Sequence, residues 1–204
     1  MKRFLDLYIS LFVLLCFLPL GILIALCILL ESRGGVFYRQ ERVGLKGELF
    51  FLLKFRSMRP DSDQLGKLTV GEKDPRVTRT GAFIRKYKLD EFPQFINVIM
   101  GEMSVVGPRP EVMEYVRHYS AVQRKVLDYK PGITDLASIT YFEESKLLAK
   151  SSDPERKYIE EIMPEKIRIN LAYQKTATIW TDLHVIWKTI LRVLPFGSTH
   201  IQKD

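Results

Sequence analysis

Cysteine is almost absent from the chain. Only Cys16 and Cys27 occur, both inside an apolar N-terminal run and eleven positions apart, too far along a helix to bridge. The polar remainder therefore offers neither a disulfide framework nor a cysteine-based zinc site, which fits a reducing compartment. Histidine is scarce too. His118, His184 and His200 are scattered, and none has a second histidine three or four residues away, so they read as lone surface residues. No G-x-x-x-x-G-K-[ST] or G-x-G-x-x-G stretch is present, which argues against a P-loop or a Rossmann dinucleotide site. Ser104 and Ser138 lack a G-x-S-x-G context. No run of five Lys/Arg occurs, so the net charge of +7 is not gathered into a nucleic-acid-binding arm, and no nucleic-acid partner is expected. Internal repeats and low-complexity segments are missing as well.

What remains is 204 residues, 47% hydrophobic and 27% charged, a length that suits one compact domain plus an anchor. The basic balance favours phosphorylated substrates or acidic lipid headgroups. From Leu7 to Leu30 there are 24 residues without a charge. A cleaved signal peptide fits poorly: its apolar region is about 7–15 residues, and no small-residue cleavage site follows. As a helix the run is roughly 36 Å long, enough to cross a bilayer core of about 30 Å. Two features favour a segment that enters and leaves on one side. Pro19 sits mid-run and removes a backbone hydrogen bond. Positive charge also flanks both ends: Lys2 and Arg3 before, Arg33, Arg39 and Arg42 after. From these features alone, re-entrant and spanning helices both stay open, because proline is tolerated in spanning helices.

The rest reads as an α/β domain, mostly helical with a short β-hairpin. Residues 36–42 and 48–56 look extended, with Gly44 and Gly47 in the turn between them. Residues 58–79 read as a loop and 80–100 as helical, with Phe92, Phe95, Ile96 and Ile99 on one face and Gly101 as the stop. Residues 107–110 form a rigid Gly-Pro-Arg-Pro turn, 111–127 suggest another helix, and 130–132 a further turn. Near the C-terminus Trp180, Leu183, Trp187, Ile190 and Leu194 make one apolar stripe. The stripe suits either a helix packed on the core or one lying in the membrane interface, and it could also serve a homodimer.

Asp90 and Glu91 stand at the expected start of the 90–99 helix. The plain reading is a helix cap. The chemical reading is a carboxylate kept ionised by nearby cations, able to attack phosphorus or hold a metal. Arg85 lies five residues before Asp90. Arg109 is held between two prolines, a stiff backbone suited to a bidentate grip on phosphate. Lys54 and Arg56 alternate with Phe55 on a strand and could project to one face as further phosphate ligands; Arg76 and Arg79 are weaker candidates.

Taken in order, Arg39-Gln40-Glu41-Arg42-Val43-Gly44, Lys54-Phe55-Arg56-Ser57-Met58, Asp74-Pro75-Arg76-Val77-Thr78, Leu89-Asp90-Glu91-Phe92-Pro93-Gln94, Val106-Gly107-Pro108-Arg109-Pro110 and Pro131-Gly132-Ile133-Thr134 resemble the bacterial sugar transferase family, the monotopic phosphoglycosyl transferases. The resemblance is collinear from the apolar segment to the C-terminal helices. It implies a re-entrant membrane helix over 1–32, broken at a Ser-Pro pair for which Leu18-Pro19 stands, and a catalytic domain over 33–204 with interfacial helices. It implies that Asp90 is the nucleophile, that Glu91 is an acid/base or positioning partner, and that Arg85 and Arg109 bind phosphate. The implied reaction moves a sugar 1-phosphate from a UDP-sugar to polyprenol (undecaprenyl) phosphate, with Mg²⁺ at Asp90 and release of UMP. The implied place is the cytoplasmic face of the bacterial inner membrane, among membrane lipids, at the first membrane step of glycoconjugate assembly. Lys88 replaces a frequent serine before Leu-Asp-Glu, and Asp135-Leu136-Ala137-Ser138 replaces a frequent Gly-Trp-Ala-Gln. A non-catalytic membrane adaptor with a basic face is the reading from a different class.

Overall fold

The computed structural model describes residues 1–60, 62 and 74–193. Leu194 and His200 lie outside the described residues, as does most of the expected 58–79 loop. The described chain begins with one long helix, α1 (Lys2–Glu31), followed by the hairpin β1 (Phe37–Val43) and β2 (Leu49–Phe55). Two helices, α2 (Arg79–Lys86) and α3 (Gln94–Met100), lead into β3 (Ser104–Val106). After α4 (Met113–Val116) comes β4 (Gly132–Thr134). Five helices complete it: α5 (Leu136–Thr140), α6 (Glu144–Ala149), α7 (Pro154–Lys157), α8 (Met163–Thr176) and α9 (Ile179–Val193). A π-helical turn, Tyr158–Ile162, joins α7 to α8.

The fold is therefore mostly helical with little sheet. The hairpin is antiparallel, Phe37 opposite Phe55 and Val43 opposite Leu49. Its turn needs left-handed backbone, supplied by Gly47 at φ +85° and Lys46 at φ +58°. Three apolar clusters fill the interior. One joins the hairpin end, through Val43, to α4 and α8. A second places Leu52 against Val98, Met103, Val105, Tyr173 and Val185. The third puts Ile24 and Ile28 of α1 on Phe55 and Ile84.

Helix α1 is long and apolar enough to cross a membrane. One stripe of it rests on the domain from end to end. Lys2 pairs with Asp182 and donates to the Val106 carbonyl at 3.0 Å. Arg3 donates to the carbonyls of Val98 and Ile99 at the C-terminal end of α3, as cations do at that pole. The buried Asp6 carboxylate accepts from the Ser104 hydroxyl and the Val105 N–H. At the other end Glu31 accepts from the Arg79 and Thr80 N–H groups and so caps α2. The opposite stripe, including Phe4, Tyr8, Leu11, Phe12, Leu15, Leu18, Ile22 and Leu26, is exposed.

Pro19 lies inside the helical segment Lys2–Glu31, where proline removes a single ladder bond. Several other local expectations are corrected. Residues 111–127 are not one helix. Ser120 and Gln123 exchange bonds between side chain and backbone, which starts a fresh 3₁₀ turn over Gln123–Asp128. Gly132 opens a strand parallel to β3 and is not simply part of a turn. Finally, the stripe of α9 does not face the core: Trp180, Leu183, Trp187 and Ile190 are exposed, while Asp182 and Val185 point inward.

Candidate active site

Asp90 and Glu91 sit in their own 3₁₀ turn, Leu89–Glu91, ahead of α3 and not in its first turn. Lys88, at φ +56°, reverses the chain before the turn, and Pro93, which has no N–H, separates it from the helix that starts at Gln94. This detour turns Asp90 inward, where it is buried. The two carboxylates differ sharply. Arg109 grips Glu91 with two bonds, Nη1 to Oε2 at 3.0 Å and Nη2 to Oε1 at 2.5 Å. Asp90 has an oxygen, Oδ1, that is buried without a hydrogen-bond partner among the described residues.

Electrostatics separates them further. Burial pushes Asp90 above the usual carboxylate range, and the neighbouring Glu91 charge adds to this, opposed by Lys54, Lys88 and Arg85. Burial also acts to raise Glu91, but Arg109 and Lys54 outweigh it and hold that carboxyl well below the usual range. Glu91 in turn raises Arg109. Burial lowers Lys54 to about 8, against the charges of Glu91 and Asp90, which favour its ammonium form. The expected cations are present around Asp90, and burial and the Glu91 charge act against them.

Arg109 is placed by two glycines. The Gly-Pro-Arg-Pro turn lies directly on Lys130-Pro131-Gly132, with Gly132 N–H bonded to the Pro108 carbonyl at 2.9 Å and Gly107 N–H to the Thr134 carbonyl at 3.0 Å. A Cβ on Gly132 would fall on the Gly107 backbone nitrogen. Arg42 steadies the far side of the turn, donating to the Pro110 carbonyl at 3.0 Å. The buried Asp135 caps α5 through Ser138, and its charge adds to that of Glu91 in favouring the protonated Arg109.

Of the residues singled out from sequence, Asp90, Glu91, Lys54, Arg109 and Arg85 form one electrostatic group. Arg56 is used elsewhere. The hairpin strand ends at Phe55, and the Arg56 guanidinium donates to the Ser32 and Arg33 carbonyls at 2.8 and 2.6 Å, closing the end of α1. Arg76 grips Asp74, and Arg79 begins α2. Pro19 lies on α1 near Phe17, whose ring stacks on Phe92. Lys88, Arg42, Asp135 and Gln94, whose buried amide nitrogen has no partner among the described residues, were not assigned roles from sequence. Lys88 carried a signal in its departure from the family's serine, but its left-handed backbone did not.

The described residues contain no group of three or more His, Cys, Asp or Glu placed to hold a metal ion between them. With both Glu91 oxygens held by Arg109, the protein offers Asp90 Oδ1 as one carboxylate ligand. That fits Mg²⁺, which is commonly held by one or two carboxylates together with substrate phosphates.

Comparison with known proteins gives the family. The family model for bacterial sugar transferases matches residues 1–195. A UDP-glucose:undecaprenyl-phosphate glucose-1-phosphate transferase of Xanthomonas campestris is 37% identical over 180 residues, covering 86% of this chain and 35% of the relative. A UDP-N-acetylgalactosamine-undecaprenyl-phosphate N-acetylgalactosaminephosphotransferase of Aeromonas hydrophila is 35% identical over 204 residues, 97% of this chain and 44% of the relative. A UDP-glucose:undecaprenyl-phosphate glucose-1-phosphate transferase of Caulobacter vibrioides is 34% identical over 207 residues, 98% of this chain and 72% of the relative. The chain thus spans less than half the length of the first two. Matched by the family model along almost its whole sequence, the chain belongs to the bacterial sugar transferase family.

Proposed function

We propose that this chain transfers a sugar 1-phosphate from a UDP-sugar to polyprenol (undecaprenyl) phosphate through a covalent intermediate on Asp90. The observation that carries the reading is the unequal pair: Glu91 is neutralised by Arg109, while Asp90 keeps an unpartnered oxygen among Lys54, Lys88 and Arg85. In the first step a carboxylate oxygen of Asp90 attacks the sugar-bearing phosphorus. The bond from that phosphorus to the bridging oxygen breaks, and UMP leaves with the electron pair. In the second step a phosphate oxygen of the polyprenol phosphate attacks the same phosphorus, and the bond to Asp90 breaks. The difficulty is the approach of an anion to an anion, which cations on the far side of the phosphate relieve. Lys54 and Arg85 supply fixed positive charge here, and Glu91 orients Arg109 toward the same group. Mg²⁺, held by Asp90, would supply further neutralisation of the diphosphate.

The reading extends to topology. We take residues 1–32 as a re-entrant membrane helix and 33–204 as a catalytic domain at the cytoplasmic face of the inner membrane. A straight spanning helix carries one of its ends to the far surface. In α1 both ends, at Lys2–Asp6 and at Ile28–Glu31, rest on the same domain, and basic residues flank both. The exposed Trp180 and Trp187 of α9, with Phe83 of α2 and Met100 of α3, suit a surface lying at the headgroup level. The product lipid would open assembly of a bacterial glycoconjugate. The adaptor reading gives no reason for a buried carboxylate pair split in this way. The test is release of UMP from a panel of UDP-sugars by the purified chain with Mg²⁺ and polyprenol phosphate. Release that Asp90→Asn abolishes supports the reading, and release unchanged in that variant removes Asp90 from its role.

A further inference from the structure

Lys88 and Arg192 come from distant parts of the chain and meet over one aromatic ring. The Lys88 ammonium lies 5.7 Å from the centroid of the Phe142 ring, and the Arg192 guanidinium carbon lies 5.3 Å from it. The two positive charges are therefore held within about 11 Å of each other. Like charges repel, and an aromatic face returns little at an exposed site. Glu143, next to Phe142 in sequence, is paired with Lys146 at 2.8 Å and so answers the charge of Arg192 only in part. Arg192 also keeps a buried Nε without a hydrogen-bond partner among the described residues.

Lys88 adds two observations. Its backbone is left-handed, at φ +56° and ψ +20°, a conformation that costs a lysine energy and tends to collect at functional sites. It is also two residues from Asp90, and its charge acts on both Asp90 and Glu91. An anion seated between Lys88 and Arg192 would therefore lie beside the reacting carboxylate.

We propose that Lys88, Phe142 and Arg192 form an anion subsite next to Asp90 that takes a phosphoryl group other than the one facing Arg109. Two sources present such a group: the nucleotide phosphate of the donor and the headgroup phosphate of the lipid acceptor. The inference rests on the transferase reading for the identity of the source, but not for the anion itself. Phe142 acts as a flat spacer that holds the two cations in place while the site is empty.

The test uses the full chain in detergent with two probes, UDP and dodecyl phosphate. Dissociation constants are measured for wild type, Lys88→Gln, Arg192→Gln, the double variant and Lys88→Arg. The double variant is expected to bind at least one probe about tenfold more weakly or worse, because charge-assisted bonds are lost. Loss confined to UDP assigns the donor, loss confined to dodecyl phosphate assigns the acceptor, and loss of both assigns the site to each in turn. Lys88→Arg should retain binding. Without a probe, Lys88→Gln should melt no lower than wild type, since one repelling charge is gone; a lower melting temperature would mark a merely structural contact. Unchanged binding of both probes by the double variant, or no binding of either by wild type, overturns the subsite. If wild type turns over a UDP-sugar and the double variant keeps both KM values, the subsite falls and the transferase reading stands. If no UDP-sugar is turned over while UDP binding still depends on Lys88 and Arg192, the reverse holds.

Discussion

Phe17 of the apolar helix α1 and Phe92 stack face to face, with centroids 3.9 Å apart and planes inclined by 18°. Phe92 directly follows Glu91, so α1 touches the turn that carries both carboxylates. Such a stack contributes about 0.5–1.5 kcal/mol beyond the area it buries. Phe17→Ala should lower turnover several-fold while the protein stays in the membrane fraction. Comparing rates at equal membrane content checks this, and an unchanged rate would show that the stack does not position the turn.

The grip of Arg109 on Glu91 makes a second expectation. Arg109→Ala leaves the Glu91 carboxylate buried without its partner, which should cost about 2–4 kcal/mol of stability, near the lower end for buried pairs because Arg109 remains partly exposed. Arg109→Ala combined with Glu91→Gln should recover part of that loss, because no unpaired charge is left. Denaturant melts of the single and double variants measure the difference.

Asp90 should weigh against stability at neutral pH. Its pKa is raised in the folded protein, so the stability linked to its protonated form is present in acid and is lost as pH rises from about 3.8 through the raised value. Asp90→Asn removes that buried charge. The variant should melt higher than wild type at pH 7 and show no turnover. Thermal melts at pH 4 and pH 7 should show a gain that grows with pH.

Lys54 sets the alkaline limb. Its pKa is lowered to about 8, so it loses its positive charge as pH rises past that value, and the turnover that depends on the charge should fall with it. Stability runs the opposite way: the folded chain binds fewer protons than the unfolded one between about 8 and 10.5, so Lys54 makes stability rise across that window. Lys54→Arg, which stays charged, should remove the fall in kcat/KM near pH 8.

Topology gives a fifth expectation. With Cys16 and Cys27 replaced by serine, a cysteine in an N-terminal tag and one at Arg33→Cys should both resist a membrane-impermeant maleimide applied from the periplasm. Labelling of one and not the other would mean that α1 spans.

Much of this site could be read along the chain, because its chemistry sits in short contiguous motifs. Asp90-Glu91, Pro-Arg-Pro and Lys54 are each recognisable from residue type and neighbours, and the hairpin followed from alternation and its two glycines. What escaped depends on contacts distant in sequence. Arg56 reads like Lys54 until the end of α1 claims its guanidinium. Gly132 reads as a turn until β3 pairs with it. The stripe of α9 is equally apolar facing core or lipid, and only the inward Asp182, bound by Lys2 and Tyr173, reveals which side is out.

During turnover the Asp90 carboxylate is expected to become bonded to phosphorus. Rapid-quench intact-protein mass spectrometry with a UDP-sugar donor, Mg²⁺ and no acceptor tests it most directly. The expected result is an added mass of one sugar phosphate, mapped to the peptide containing Asp90 and absent from Asp90→Asn. Full turnover on addition of polyprenol phosphate, with no such adduct at any quench time, would contradict it.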